Sequence, residues 1–171
     1  LNFRNIVLVS GGAVLVTVAI LIAVIQWFNW DRYRGDAARW IGSVTARPVS
    51  IDGPIDVKLF PSPRLYLAGI SIGNPEGDFT GQFFHVESVY ARLNLTALFA
   101  GKLVLDELRL DRPRVRFEVD PAGHSNWRFS ESALNRLRSK TPAVIPRQLW
   151  ITGAQLQFIN APSNQSERIE I

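Results

Sequence analysis

Between Asn5 and Trp30 the chain carries no charged side chain, and residues 6–28 are dominated by Val, Ile, Leu and Ala. A helix crosses the hydrocarbon core of a bilayer in about 20 residues, so this run is long enough to span with some tilt. Ser10, Gly11, Gly12 and Thr17 interrupt it only as mildly as membrane helices tolerate. Trp27, Phe28, Trp30 and Tyr33 cluster at its exit. Amphipathic rings prefer the headgroup layer, so these four mark a membrane interface. A cleaved signal peptide would have an apolar region of roughly 7–15 residues followed by small side chains. The longer run and its bulky exit, Gln26-Trp27-Phe28-Asn29-Trp30, predict a retained single-pass anchor over residues 1–30.

Orientation does not follow from charge alone. Arg4 precedes the run, whereas Arg32, Arg34 and Arg39 follow it, which by the positive-inside rule would put the C-terminal side in the cytoplasm. That count omits whatever precedes Leu1. The sequence has no methionine and stops inside the alternating run Arg168-Ile169-Glu170-Ile171, so a longer protein is expected, with a β-domain over 48–171 that continues further.

The residues after the anchor suffice for one ordinary domain of roughly 100–150 residues. With no cysteine, disulfide frameworks, thiolate metal sites and Cys nucleophiles are excluded, while the redox compartment stays open. Net charge is +4, which suits anionic surfaces. Yet Arg109, Arg112, Arg114 and Arg116 are interleaved with Asp106, Glu107, Asp111 and Glu118. That pattern reads as a solvated mixed-charge strand face, and no nucleic-acid partner is expected.

Tyr33, Ala37, Trp40, Ile41 and Val44 fall at helical spacing and predict a short amphipathic helix over 31–47. Asp31 is its expected cap and Pro48 its stop. Beyond Pro48 the period changes to two. Ile55 and Val57 alternate with Asp56 and Lys58; Leu65 and Leu67 alternate with Arg64 and Tyr66. Val89, Ala91, Leu93 and Leu95 form a further row, as do Val115, Phe117 and Val119. Such alternation predicts an antiparallel sheet with one apolar and one solvated face. A spacing of i, i+2, i+5, i+7 recurs at Leu65, Leu67, Ile70, Ile72, at Leu103, Leu105, Leu108, Leu110, and at Leu149, Ile151, Ala154, Leu156. The step of three requires either a bulge that restores the face or a bend that changes it. Residues 130–140 are the one further helix candidate, with Ser130 as cap and Ala133, Leu134 and Leu137 as its apolar stripe.

No catalytic constellation emerges, and neither a cofactor nor a metal site is expected. His85 adjoins Phe83-Phe84 as a strand residue, His124 lies in a turn, and Asp52 and Asp56 flank a Gly-Pro turn. An enzyme is not predicted.

The order of segments is more specific than any one of them. Asp31-Arg32-Tyr33-Arg34 follows the anchor, then Arg47-Pro48-Val49-Ser50-Ile51-Asp52-Gly53-Pro54, Pro61-Ser62-Pro63-Arg64-Leu65 and Gly73-Asn74-Pro75. Leu108-Arg109-Leu110-Asp111-Arg112-Pro113 and Gly123-His124-Ser125-Asn126-Trp127 complete the series. It closely resembles the N-terminal part of AsmA family proteins of the Gram-negative envelope. Two departures stand out: residues 79–84 are rich in aromatics, and the chain is short for a whole member.

The resemblance implies an inner-membrane anchor with its C-terminal side in the periplasm, against the charge count. It also implies kinship with bridge-like lipid-transfer proteins, in which a curved β-sheet forms an apolar groove. On that reading phospholipid is the partner, serving outer-membrane biogenesis. The candidate groove residues are Leu65, Leu67, Ile70, Ile72, Val89, Ala91, Leu93, Leu95, Leu103, Leu105, Leu108, Leu110, Val115, Phe117 and Val119. The alternative is a structural tether or assembly factor that acts through contacts with outer-membrane assembly proteins. Alternation by itself fits an open groove and a closed core equally well, and oligomeric state is not legible.

Overall fold

The computed structural model describes residues 28–131, 133–135, 145–161 and 165–170, with isolated positions 13, 16, 17, 20, 23 and 24. The predicted anchor, Trp27 included, lies mostly outside the described residues. Among the described residues no helix is long and apolar enough to cross a membrane. The isolated positions are helical, and Val16, Ile20 and Val24 are exposed.

A 3-10 turn, Trp30–Tyr33, leads into helix α1, Arg34–Thr45. The helix therefore starts later than predicted, and Asp31 does not cap it. The Asp31 carboxylate instead accepts the Ile55 backbone N–H at 2.9 Å, tying the turn to a strand. Ala46, in left-handed geometry, ends α1 before Pro48.

The strands are β1 (Val49–Ile51), β2 (Ile55–Lys58), β3 (Arg64–Ile72), β4 (Phe84–Leu93) and β5 (Leu105–Asp111). They continue with β6 (Arg114–Val119), β7 (Gln148–Thr152), β8 (Gln155–Asn160) and β9 (Gln165–Glu170). All nine join one sheet. The strands β1 and β2 lie end to end along β3, and β5 and β6 lie end to end along β4. In turn β7 follows β5 and β8 follows β6, and β9 closes a hairpin on β8.

The fold is mainly β, but the sheet is mixed where an antiparallel one was expected. The pairs β5·β7 and β6·β8 are parallel. A parallel neighbour requires a long crossover, supplied here by residues 120–147. The helix expected at 130–140 falls in that crossover. Residues 131 and 133–135 are helical, with Ser130 Oγ accepting the Ala133 N–H at 3.2 Å. The rest of that helix lies outside the described residues. A second short helix, α2 (Leu95–Phe99), was not expected. Asn94 ends the strand row and caps this helix by accepting the Ala97 N–H at 2.7 Å.

The repeated step of three has two structural causes. In β3 it is Gly69 at φ +63, and between β7 and β8 it is Gly153 at φ +63. In β5 it is a bulge, where the register with β4 jumps from Arg92↔Glu107 to Leu93↔Leu105 and leaves Asp106 extra. The β3 kink restores the face, because Leu67 before it packs on the same cluster as Ile70 after it. Glycine is needed at position 69 twice over. Its φ is left-handed, and a Cβ there would lie 3.0 Å from the Gly53 backbone nitrogen. Gly69→Ala is therefore expected to cost about 1–3 kcal/mol in a denaturant titration of the detergent-solubilised chain. An unchanged midpoint would mean that the kink is not required.

The closed core is small. Ile51, Ile70 and Val86 are its buried centre, covered by Ala37, Ala38 and Ile41 of α1 and flanked by Phe84, Val89 and Leu110.

Candidate functional site on the apolar face of the sheet

Register converts the apolar alternation into rows that run across strands. One row is Val57–Leu65–Ala91–Leu108–Leu149, and the next is Ile55–Leu67–Val89–Leu110–Ile151. Beyond the kinks a third row runs Val49–Ile72–Phe84–Val115–Leu156–Ile169. Each is continuous from one sheet edge to the other. Cross-strand pairs of this kind are the unit that stabilises a sheet.

The two ends of this face are finished differently. At the β6–β8 end, Phe117 and Phe158 are register partners, and Trp127 from the 120–130 segment lies against both. Phe83 touches Phe117 and Phe129 edge-on. The buried Arg47 guanidinium sits 4.3 Å from the Phe83 ring centre and 4.2 Å from that of Phe129. Burial pulls its pKa below the usual value, and Nη1 has no partner among the described residues. Nη2 donates to the Asn126 carbonyl at 2.6 Å.

Asn126 is fully buried and substitutes for a strand neighbour along β6. Its Oδ1 accepts the Glu118 N–H at 2.9 Å, and its Nδ2 donates to the Arg116 carbonyl at 2.8 Å and to Asn74 Oδ1 at 2.9 Å. Asp120 sets the turn that delivers it. Burial pushes the Asp120 carboxyl up, but hydrogen bonds from the His124 N–H and ring and from the Ala122 N–H outweigh this and hold it below its usual range.

The β2–β5–β7 end is left open by the described residues. No described helix makes more than passing contact with β4, β5 or β7. Leu65, Ala91, Leu105 and Leu108 are only half-buried. Leu149 is 53 % and Ile151 51 % exposed.

The opposite face is polar. Lys58–Arg64–Arg92–Glu107–Gln148 and Asp56–Tyr66–Tyr90–Arg109–Trp150 cross it as rows. Buried Glu107 takes both Arg92, at 3.2 Å, and Arg109.

The predicted residues divide accordingly. Leu65, Ala91 and Leu108 are brought together on the outer row of the open end, and Leu67, Val89 and Leu110 on the next row, which packs against the closed core. Leu93 and Leu105 pair at its margin. Ile72 and Val115 share the third row, and Val119 is opposite Asn160 at the strand end. Four residues fall elsewhere. Ile70 is core beneath α1, and Phe117 is covered by Trp127. Leu95 has left the sheet, because Asn94 turns the chain into α2. Leu103 precedes β5, 45 % exposed. Val57, Leu149 and Ile151 belong to the open end, and Ile55 to the row beside the core, although none of them was among the candidates. The signal for Leu149 and Ile151 was present, as members of the third repeat.

Of the interface aromatics, Phe28 stacks on Tyr33, with centroids 5.5 Å apart, and meets Trp30 edge-on at 4.9 Å. They form one cluster at the base of α1.

The AsmA family model matches residues 2–160. The AsmA family protein YhjG of Escherichia coli (strain K12) is 24 % identical over 131 residues, covering 70 % of this chain. The match spans only 19 % of that protein's length. No solved structure matches. The chain belongs to the AsmA family.

Proposed function

We propose that this chain is a periplasmic module, held at the inner membrane by residues 6–28, whose apolar sheet face binds or conducts phospholipid for outer-membrane biogenesis. AsmA membership suggests a role in envelope and lipid-related biogenesis. The finer reading rests on one observation, the half-exposed apolar rows at the β2–β5–β7 end. Five strands about 4.8 Å apart place Val57 and Leu149 roughly 19 Å from one another. That exceeds the roughly 15 Å that one leaflet's tails occupy in a bilayer. Each methylene sheltered against such a row contributes about 0.8 kcal/mol, so a tail laid across it is held without any polar contact.

The protein-contact alternative has its own support. In β7 the consecutive residues Leu149, Trp150 and Ile151 are all exposed on a strand that is an edge among the described residues, a template for pairing with another chain.

Site-specific photocrosslinking in cells separates the two. A photoreactive residue at Leu108 is expected to capture phospholipid, and one at Arg109, on the opposite face, is not. Equal labelling at both, or protein adducts alone at Leu108, would refute the lipid reading.

A further inference from the structure

The polar face carries a cavity that the lipid reading does not use. It has a volume of about 410 Å³ and opens over β4, β6, β8 and β9, within the usual range for small-ligand pockets. Two adjacent rows line it. His85–Arg114–Gln155 is one, and Arg116–Gln157–Arg168 is the other. Side chains two apart on a strand are about 7 Å apart, so the three guanidinium groups and the imidazole face one volume.

None of the lining residues is acidic. The nearest carboxylates are occupied at the margin. Glu87 is shared between Arg112, at 2.9 Å, and Arg114, at 3.4 Å. Buried Glu118 holds Arg116 at 3.2 Å and also accepts from Thr80. Gln155 reaches Glu170 at 3.4 Å. Arg168 has no ion-pair partner among the described residues. His85 is held through Nδ1, 2.9 Å from Ser71 Oγ, and its Nε2 has no partner among the described residues.

We infer that this cavity is a binding site for a phosphate-bearing anion. Three arginines and the amides of Gln82, Gln155 and Gln157 offer more donors than a single carboxylate has lone pairs to accept, whereas a phosphate group presents several acceptor oxygens. Planar guanidinium groups suit it through bidentate, charge-assisted bonds. The site is on the face opposite the apolar rows, so one molecule cannot place its tail on Leu108 and its phosphate here through the sheet. It stands apart from the acyl-chain reading. The phosphate can come from a lipid headgroup or from a free phosphate compound.

The test uses the whole chain in a non-phosphate detergent. Two probes are titrated calorimetrically: inorganic phosphate, and mixed micelles containing phosphatidylglycerol with phosphatidylcholine micelles as reference. The Arg114→Gln/Arg168→Gln pair leaves the Arg116–Glu118 contact intact and is expected to weaken binding at least about tenfold. Gln157→Glu, which adds a carboxylate between Arg116 and Arg168, is expected to weaken it without removing an arginine. Arg39→Gln on α1 serves as the remote control and is expected to change nothing. Binding of inorganic phosphate that these site variants weaken assigns the site to free phosphate. A response only to phosphatidylglycerol, lost in the same variants, assigns it to a headgroup. No binding of either probe by the unaltered chain overturns the inference. Binding that survives both site variants, or falls equally with Arg39→Gln, overturns it too. Leu108→Asp is expected to leave this binding unchanged, so failure of the acyl-chain reading and failure of this one are separable.

Discussion

Replacing Asn126 with leucine is expected to cost about 3–4 kcal/mol, an unusually large loss for one side chain. Leucine has the same branching and number of heavy atoms and is the larger side chain, so no cavity is made. What is lost is the pairing of the Glu118 N–H and the Arg116 carbonyl, both of which Asn126 satisfies in place of a missing strand. Buried groups left unpaired cost roughly 1–3 kcal/mol each. The damage should spread, because the Asn126 carbonyl also receives Arg47, and Arg47 lies between Phe83 and Phe129. Asn74→Ala removes only one of these bonds and is expected to cost about 1 kcal/mol. Denaturant midpoints of the two variants measure the difference. Equal, small losses would mean that water replaces Asn126 readily and that the 120–130 segment is not held as described.

The second large effect separates the closed and open ends of the apolar face. Phe117→Asp places a carboxylate among Phe83, Trp127 and Phe158, and should abolish folding or cost at least about 4 kcal/mol. Leu108→Asp lies on a row that no described helix covers, and its charge can remain hydrated. Its expected cost is about 1 kcal/mol, the usual size for a half-exposed site. Similar unfolding of both variants would show that the β2–β5–β7 end is also a packed core.

Much of this was legible from alternation. A period of two identified the strands that carry Leu65, Leu67, Val89, Ala91, Val115 and Phe117, and it identified their apolar side. The step of three was legible as a kink, though Gly69 and Gly153 produce it by backbone geometry and Asp106 by insertion. Strand neighbours were not legible. Alternation is identical for parallel and antiparallel partners, and only the length of the 120–147 connection hinted at a crossover. Leu95 was misread because Asn94 can end a strand as readily as continue it, and its cap on Ala97 is visible only in three dimensions. Asn126 gave no local signal either, since its three side-chain partners lie 8, 10 and 52 residues away.

The central claim is that the open rows of the apolar face hold lipid. Native mass spectrometry of the detergent-extracted chain tests it most directly, comparing the unaltered protein with Leu65→Asp/Leu108→Asp. The rows predict co-purifying phospholipid on the unaltered chain, lost from a variant that stays folded, because a charge on an apolar track opposes acyl chains. A folded unaltered chain that carries no phospholipid, or a double variant that retains as much of it, would contradict the account.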